Sequence, residues 1–203
     1  QWLVSQGGKH IALTSRRVPS PTAQSAIQQL ESDGATVTVL QGDISQSDAV
    51  DCIIQQLTQS DHPPLKGIIH AAGLLQDSLL SQLSQKQFEQ VMAPKVSGTW
   101  HLHQATQDLS LDFFVCFSSI ASLIGSPGQG NYAAANAFMD ALMQHRSAMG
   151  LPGTSINWGP WANVGMAAQL DEKAQDRMQA RGVTPLTPAQ ALKILEDLLT
   201  KPA

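Results

Sequence analysis

Short apolar runs alternate along the chain with longer stretches in which apolar residues recur every three or four positions. The runs are His10–Thr14, Thr36–Leu40, Gly67–Ala71, Leu111–Phe117 and Thr154–Trp158, and they predict strands. Thr22–Ser32, Ser47–Thr58, Gln85–Thr106 and Tyr132–Met149 carry the helical period, with Ser47 a plausible N-cap and Gly34 a plausible C-cap. Strands and helices alternating at this spacing predict parallel strands joined by right-handed crossovers, an α/β fold with a doubly wound parallel sheet. Ligands in such folds sit outside the carboxyl ends of the strands. Those ends carry Ser15-Arg16, Gly42-Asp43, Ala71-Ala72-Gly73, Ser118-Ser119 and Asn157-Trp158-Gly159, all small, polar or charged apart from Trp158. Asn163 to Arg181 is polar and rich in Ala and Gln, and residues 160–181 are expected to form a lid. Pro188 to Leu199 places Leu192, Leu195 and Leu199 on one stripe, as in a packing helix.

Composition narrows the classes. The 203 residues suit one domain with a real core, residues 1–203. A net charge of -4 and the lack of any basic run argue against a nucleic-acid surface. No apolar stretch approaches the ~18 residues needed to span a bilayer, so no membrane association is expected. Cys52 and Cys116 sit in apolar patterns and are expected to be buried thiols, with no metal or redox pair. His101 and His103, two apart on a helix, point to different faces and cannot chelate together.

The stretch from Phe117 to Asp140 carries the candidate chemistry. Ser119 ends an apolar run, and Tyr132 and Asn136 open an Ala-rich helical segment. The loop between them holds three glycines and a proline. A hydroxyl, a phenol and an amide brought to one place can move a proton onto a carbonyl oxygen. Tyr132 is the only tyrosine.

This segment resembles the active-site region of ketoreductase domains of modular polyketide synthases, within the short-chain dehydrogenase/reductase superfamily. In those domains a Ser lies thirteen residues before a Tyr, an Asn four after it, and a Lys twenty-four before the Ser. Ser119, Tyr132, Asn136 and Lys95 match all four positions. Ordinary superfamily members place the Lys four residues after the Tyr; here that position holds Asn136, the exchanged arrangement of polyketide ketoreductases. The resemblance implies a Rossmann-like fold and reduction of a β-ketoacyl thioester with NADPH. Tyr132 would donate the proton, Lys95 would lower its pKa and bind the nicotinamide ribose, Ser119 would hydrogen-bond the substrate oxygen, and Asn136 would hold water in a proton relay.

It further implies cofactor contacts from Ser15, Arg16, Asp43, Ile44, Ala71, Ala72, Gly73, Lys95 and Tyr132. An Arg at position 16 favours a 2′-phosphate, hence NADPH over NADH. Leu75, Asp77, Gln129 and Trp158 fall where substrate and stereocontrol groups are expected. Ketoreductases giving a D-configured alcohol carry Leu-Asp-Asp where this chain has Leu75-Gln76-Asp77, keeping the last Asp. Those of the opposite type tend to carry a Trp eight residues before the Tyr, where this chain has Ile124. Both features favour a D-configured product. The implied partners are an acyl carrier protein, with its phosphopantetheine-bound substrate, and neighbouring synthase domains; the implied location is the cytoplasm. Rival readings are a non-catalytic structural or docking fragment of a synthase and a stand-alone carbonyl reductase.

In the family, a strand and a Gly-rich turn precede a helix that ends like Gln1 to Gly7. The fold is therefore expected to lack its first strand and Gly-rich turn within these 203 residues. That strand belongs between His10–Thr14 and Gly67–Ala71, so the two should not pair into one continuous sheet. A separate polypeptide or an upstream segment is expected to supply it; failing that, the sheet would close abnormally and not bind NADPH.

Overall fold

A computed structural model describes residues 1–59, 63–162, 164–165 and 182–200. The elements run α1 (Trp2–Ser5), β1 (His10–Ser15), α2 (Pro21–Ser32), β2 (Thr36–Gln41), α3 (Ser47–Leu57) and β3 (Gly67–His70). A 3₁₀ turn (Leu80–Gln82) leads to α4 (Gln85–Met92), a π-turn (Ala93–Ser97) and α5 (Gly98–Gln104). Then follow β4 (Phe113–Ser119), α6 (Ala121–Ile124), α7 (Gly130–Ala148), β5 (Thr154–Trp158) and α8 (Pro188–Thr200). The α/β alternation is as the sequence predicts, and every described strand pairing is parallel. The strands form two ladders, β1–β2 and β3–β4–β5. The chain divides into two compact units, Gln1–Lys66 with Ser97–Leu111, and Gly67–Val96 with Asp112–Ala203.

In the first unit, β1 and β2 pair in register from His10↔Thr36 to Ser15↔Gln41. α2 starts where Pro21 follows Ser20, whose hydroxyl accepts from the Ala23 amide at 3.3 Å. It stops at Asp33, and Gly34 takes φ +91° just beyond. α3 buries Val50, Ile53 and Ile54 on one stripe. Ser47 is not its N-cap: Gln46 holds that position without a side-chain bond, and Ser47 is the first helical residue. Cys52 is also corrected. It lies off the buried stripe and is exposed, whereas Cys116 is buried in β4.

The second unit has the deeper core. β4 runs between β3 and β5, and Phe114, Val115 and Cys116 are fully buried. Gly67 faces Phe113 so closely that a Cβ there would meet the ring at 2.0 Å. β4 begins at Phe113 rather than Leu111 and extends to Ser119, because Ser118 and Ser119 pair with Asn157 and Trp158. The helix expected over Gln85–Thr106 is three pieces. Ser84 and Gln87 form a capping box at the start of α4. Pro94, which has no amide hydrogen to continue the helical ladder, then sits in the π-turn. In α8 the buried positions are Ala191 and Leu195; Leu192 and Leu199 are half-buried. Trp161 bridges to Leu186 in parallel. Much of the expected lid, Asn163 and residues 166–181, lies outside the described residues. Among the described residues, no helix is long and apolar enough to cross a membrane.

Candidate active site

The four residues predicted to carry the chemistry all lie in the second unit. Ser119 is the last residue of β4, half-buried, and its Oγ accepts from the Ala121 amide at 3.2 Å. That bond fixes the hydroxyl at the turn from β4 into α6. Tyr132 and Asn136 lie one turn apart on α7, on a buried stripe with Ala135 and Met139. Asn131, just before, anchors this helix start: its Oδ1 accepts from the Tyr132 amide at 2.8 Å, and its Nδ2 donates to the Gln76 carbonyl at 3.0 Å. Asn136 Nδ2 donates to the Tyr132 carbonyl at 2.7 Å. Among the described residues, none hydrogen-bonds the buried Asn136 Oδ1.

Lys95 sits in the π-turn with its side chain 1% exposed. Its Nζ donates to the Phe117 carbonyl at 3.0 Å and stands 5.4 Å from the centre of the Tyr132 ring. Gly73 makes room for it: a Cβ at Gly73 would come within 2.8 Å of Lys95 Cε. Burial lowers the Lys95 pKa to about 8, against partial relief from Cys116 and Asp140. His70 ends β3 and is buried; its Nε2 donates to the Pro94 carbonyl at 3.0 Å, next to Lys95. Burial, then the Lys95 charge, lowers His70 to about 4, so it is neutral and free to make that bond.

The phenol does not follow the expected direction. Burial pushes Tyr132 above its ordinary value, and the Asn136 and Ser119 side chains only partly offset this. The Lys95 ammonium stands over the ring and donates to the Phe117 carbonyl.

The predicted stereocontrol residues divide. Asp77 and Gln129 meet, with Gln129 Nε2 donating to Asp77 Oδ2 at 2.9 Å. Leu75 packs with Leu74, Met92 and Val96 on the cluster of Val91, Ala121, Tyr132 and Ala135. Trp158 is buried against Phe117 and Trp161, with ring centres 5.5 and 5.2 Å away. Ile124 is 71% exposed.

The predicted cofactor residues occur in both units. Ala71, Ala72 and Gly73 follow β3 in the second unit and are exposed, presenting backbone. In the first unit, Ser15 ends β1 and its hydroxyl donates to the Arg17 carbonyl. Arg16 is exposed, with Nη1 3.9 Å from Asp43 Oδ2. Asp43 closes a turn rather than capping α3: its Oδ1 accepts from Ser45 N at 3.0 Å and Ser45 Oγ at 2.7 Å. Burial alone would raise the Asp43 pKa, but the Ser45 bonds and Arg16 lower it overall. Ile44 is held at both ends. Its carbonyl accepts from His101 Nδ1 at 3.2 Å, and its side chain packs on Gly98, where a Cβ would come within 2.9 Å.

The sequence reading did not single out Asn131, His70, Pro94 or Asp140 for this site. The signal for Asp140 was present, since 132, 136 and 140 share one helical stripe.

Comparison with known proteins agrees with this geometry. The KR domain family model matches residues 1–163. The chain is 43% identical over 201 residues to phenolphthiocerol synthesis polyketide synthase type I Pks15/1 of Mycobacterium marinum, covering 97% of this chain and 9% of that protein. A crystal structure of a ketoreductase domain from the bacillaene assembly line superposes with a TM-score of 0.88 at 33% identity, covering 95% of this chain and 48% of that one. A structure of A-type ketoreductases from a modular polyketide synthase gives 0.87 at 40% identity, covering 94% and 40%. The chain thus spans under a tenth of that synthase and under half of either solved chain. With the tetrad gathered in one unit and the family model matching most of its length, the chain belongs to the KR domain family, the ketoreductases of polyketide synthases.

Proposed function

We propose that this chain reduces a β-ketoacyl group, held as a thioester on an acyl carrier protein, to a D-configured β-hydroxyacyl thioester with NADPH. The observation that carries the reading is the convergence of the Tyr132 phenol, the Ser119 hydroxyl, the Asn136 amide and the Lys95 ammonium in one unit. Neighbouring domains of a synthase are its natural partners.

The residues divide the work. Ser119 donates a hydrogen bond to the substrate carbonyl oxygen, where negative charge develops. Tyr132 delivers the proton to the same oxygen. Its raised pKa keeps the phenol protonated at neutral pH, the form an acid must start in. After transfer, the Lys95 ammonium across the ring stabilises the phenolate, and a water on Asn136 Oδ1 returns a proton. NADPH, when bound, supplies the hydride to the carbonyl carbon. Arg16 and Ser15 would hold its 2′-phosphate, Asp43 and Ile44 its adenine, the Ala71–Gly73 backbone its centre and Lys95 its nicotinamide ribose. Asp77, bonded to Gln129 beside the start of α7, supports the D assignment.

Chiral chromatography of the product from a β-ketoacyl thioester and NADPH tests the reading. A D-configured alcohol is expected. A mainly L-configured alcohol would overturn the stereochemical assignment. An absence of any alcohol from folded protein would favour a docking role instead.

A further inference from the structure

Tyr132, Asn136 and Asp140 stand four residues apart on one stripe of α7. The first two serve the reaction as proposed above; Asp140 bears on it through charge, partly offsetting the fall in the Lys95 pKa. Its carboxylate also gathers donors from two other elements. Ser122 Oγ of α6 donates to Oδ2 at 2.6 Å, Asn157 Nδ2 of β5 donates to the same oxygen at 2.8 Å, and Ser155 Oγ donates to Oδ1. Asn157 Nδ2 is also 2.8 Å from Ser122 Oγ, 3.3 Å from Ser118 Oγ and 3.5 Å from the Ser119 carbonyl. Ser122 Oγ lies 2.9 Å from that carbonyl too, and Ser118 Oγ lies 3.4 Å from the Asn136 carbonyl. The contacts close a ring from α7 through β5 and α6 to the end of β4, and back to α7 at Asn136.

We propose that Asp140 is a positioning residue: through Asn157 and Ser122 it fixes the end of β4 against α7, and so sets the aim of the Ser119 hydroxyl relative to Tyr132. An ionised acceptor makes hydrogen bonds roughly twice as strong as a neutral one. Burial alone would raise the Asp140 pKa, yet the bonds from Ser122, Ser155, Ser118 and Asn157 lower it overall, so the carboxylate stays charged at neutral pH. The ring has one element that is not needed for the aim. The Ser155 hydroxyl meets the other carboxylate oxygen, away from the Ser122 and Asn157 side chains that reach the end of β4. A merely structural Asp140 would make loss of either partner equivalent; a positioning one would not.

The inference rests on the proposed roles of Ser119 and Tyr132, and its test separates the two. Hydrogen exchange at the amides of residues 120–125 reads the aim without any chemistry; kcat and the KM for NADPH, on a β-ketoacyl thioester, read its consequence. In Asp140→Ala those amides should exchange about tenfold faster, and kcat should fall ~10- to 100-fold, as a misaimed group costs, with KM within about twofold. Ser155→Ala should leave kcat within about threefold, since its one bond to Asp140 is local. Pairing Asp140→Asn with Asn157→Asp restores one carboxylate and one amide in reversed order. It should recover most of the kcat lost in either single variant, and it serves where Asp140→Ala does not fold. Unchanged exchange in Asp140→Ala, a kcat loss matched by Ser155→Ala, or no recovery in the reversed pair would each overturn the inference. If the parent protein reduces nothing, the proposed function fails, and the exchange rates alone decide the positioning claim.

Discussion

The β3–β4–β5 unit and the β1–β2 unit hold their functional side chains in opposite ways. In the first, Lys95, Tyr132 and Asn136 are buried and each has a fixed neighbour; in the second, Ser15 and Arg16 stand in solvent after β1. The strands differ in burial as well. β4 buries Phe114, Val115 and Cys116 completely, while Leu13 of β1 and Val39 of β2 remain 38% and 41% exposed. Apolar strands of a parallel sheet are normally covered on both faces. The tasks proposed for these side chains differ too. A proton donor must be aimed within a fraction of an ångström and kept dry, whereas a phosphate clamp works by charge and tolerates a mobile guanidinium. The contrast predicts that changes in the β3–β4–β5 unit strike turnover, and changes in the β1–β2 unit strike cofactor affinity.

The largest effect tests the first half of that contrast. Tyr132→Phe removes the proton donor but keeps the ring that faces Lys95. It should lower kcat about 10²- to 10⁴-fold and leave the KM for NADPH nearly unchanged. Steady-state turnover near the parent value would remove Tyr132 from the reaction.

The second concerns pH. His70 has a folded pKa of about 4 against 6.5. Between those values the unfolded chain binds a proton that the folded chain refuses, so stability falls as pH drops from 6.5 to 4 and is complete above 6.5. The loss is on the order of 3 kcal/mol. Lys95, at about 8 against 10.5, gives the same sign at the alkaline end: stability should rise as pH climbs from 8 to 10.5. Urea melts across both windows check this. His70→Asn should flatten the acid slope; an equal slope in parent and variant would contradict the assignment.

Gly73→Ala comes next. Its methyl would lie 2.8 Å from Lys95 Cε, so the lysine must shift. A cost of ~1–3 kcal/mol is expected, seen as a lower Tm together with reduced kcat. Parent-like values of both would mean that Lys95 needs no fixed path.

Arg16→Ala is the smallest and sharpens the other half. It should raise the KM for NADPH about tenfold, leave that for NADH unchanged and spare kcat. Equal losses with both cofactors would place the 2′-phosphate contact elsewhere.

The parts most legible in the sequence were those set by local pattern. All five strands and the start of α7 lie within two residues of their expected places, because parallel-sheet runs and an Ala-rich helix declare themselves. The break at Pro94 was less so. A proline argues for a stop, but the hydrophobic period continues past it, and only the His70 bond to its carbonyl shows why the chain takes a wide turn there. Cys52 was misjudged because an apolar neighbourhood in sequence is not a buried helical face. The direction of the Tyr132 pKa was illegible for a related reason. It depends on how deeply the phenol is buried, which spacing does not encode. Asp140 could be placed on the reactive stripe by counting, but its donors come from Ser122, Ser155 and Asn157 on α6 and β5, which only the fold assembles.

In the proposed reaction, Tyr132 delivers a proton to a β-keto oxygen while NADPH reduces the adjoining carbon. That reaction is tested most directly by incubating the intact protein with a β-ketoacyl thioester and NADPH deuterated at the transferring position, then locating the label by mass spectrometry. The expected product is a β-hydroxyacyl thioester with one deuterium on the β-carbon, formed by the parent and lost in Tyr132→Phe. Unlabelled product, label at another carbon, or equal yield from Tyr132→Phe would contradict it.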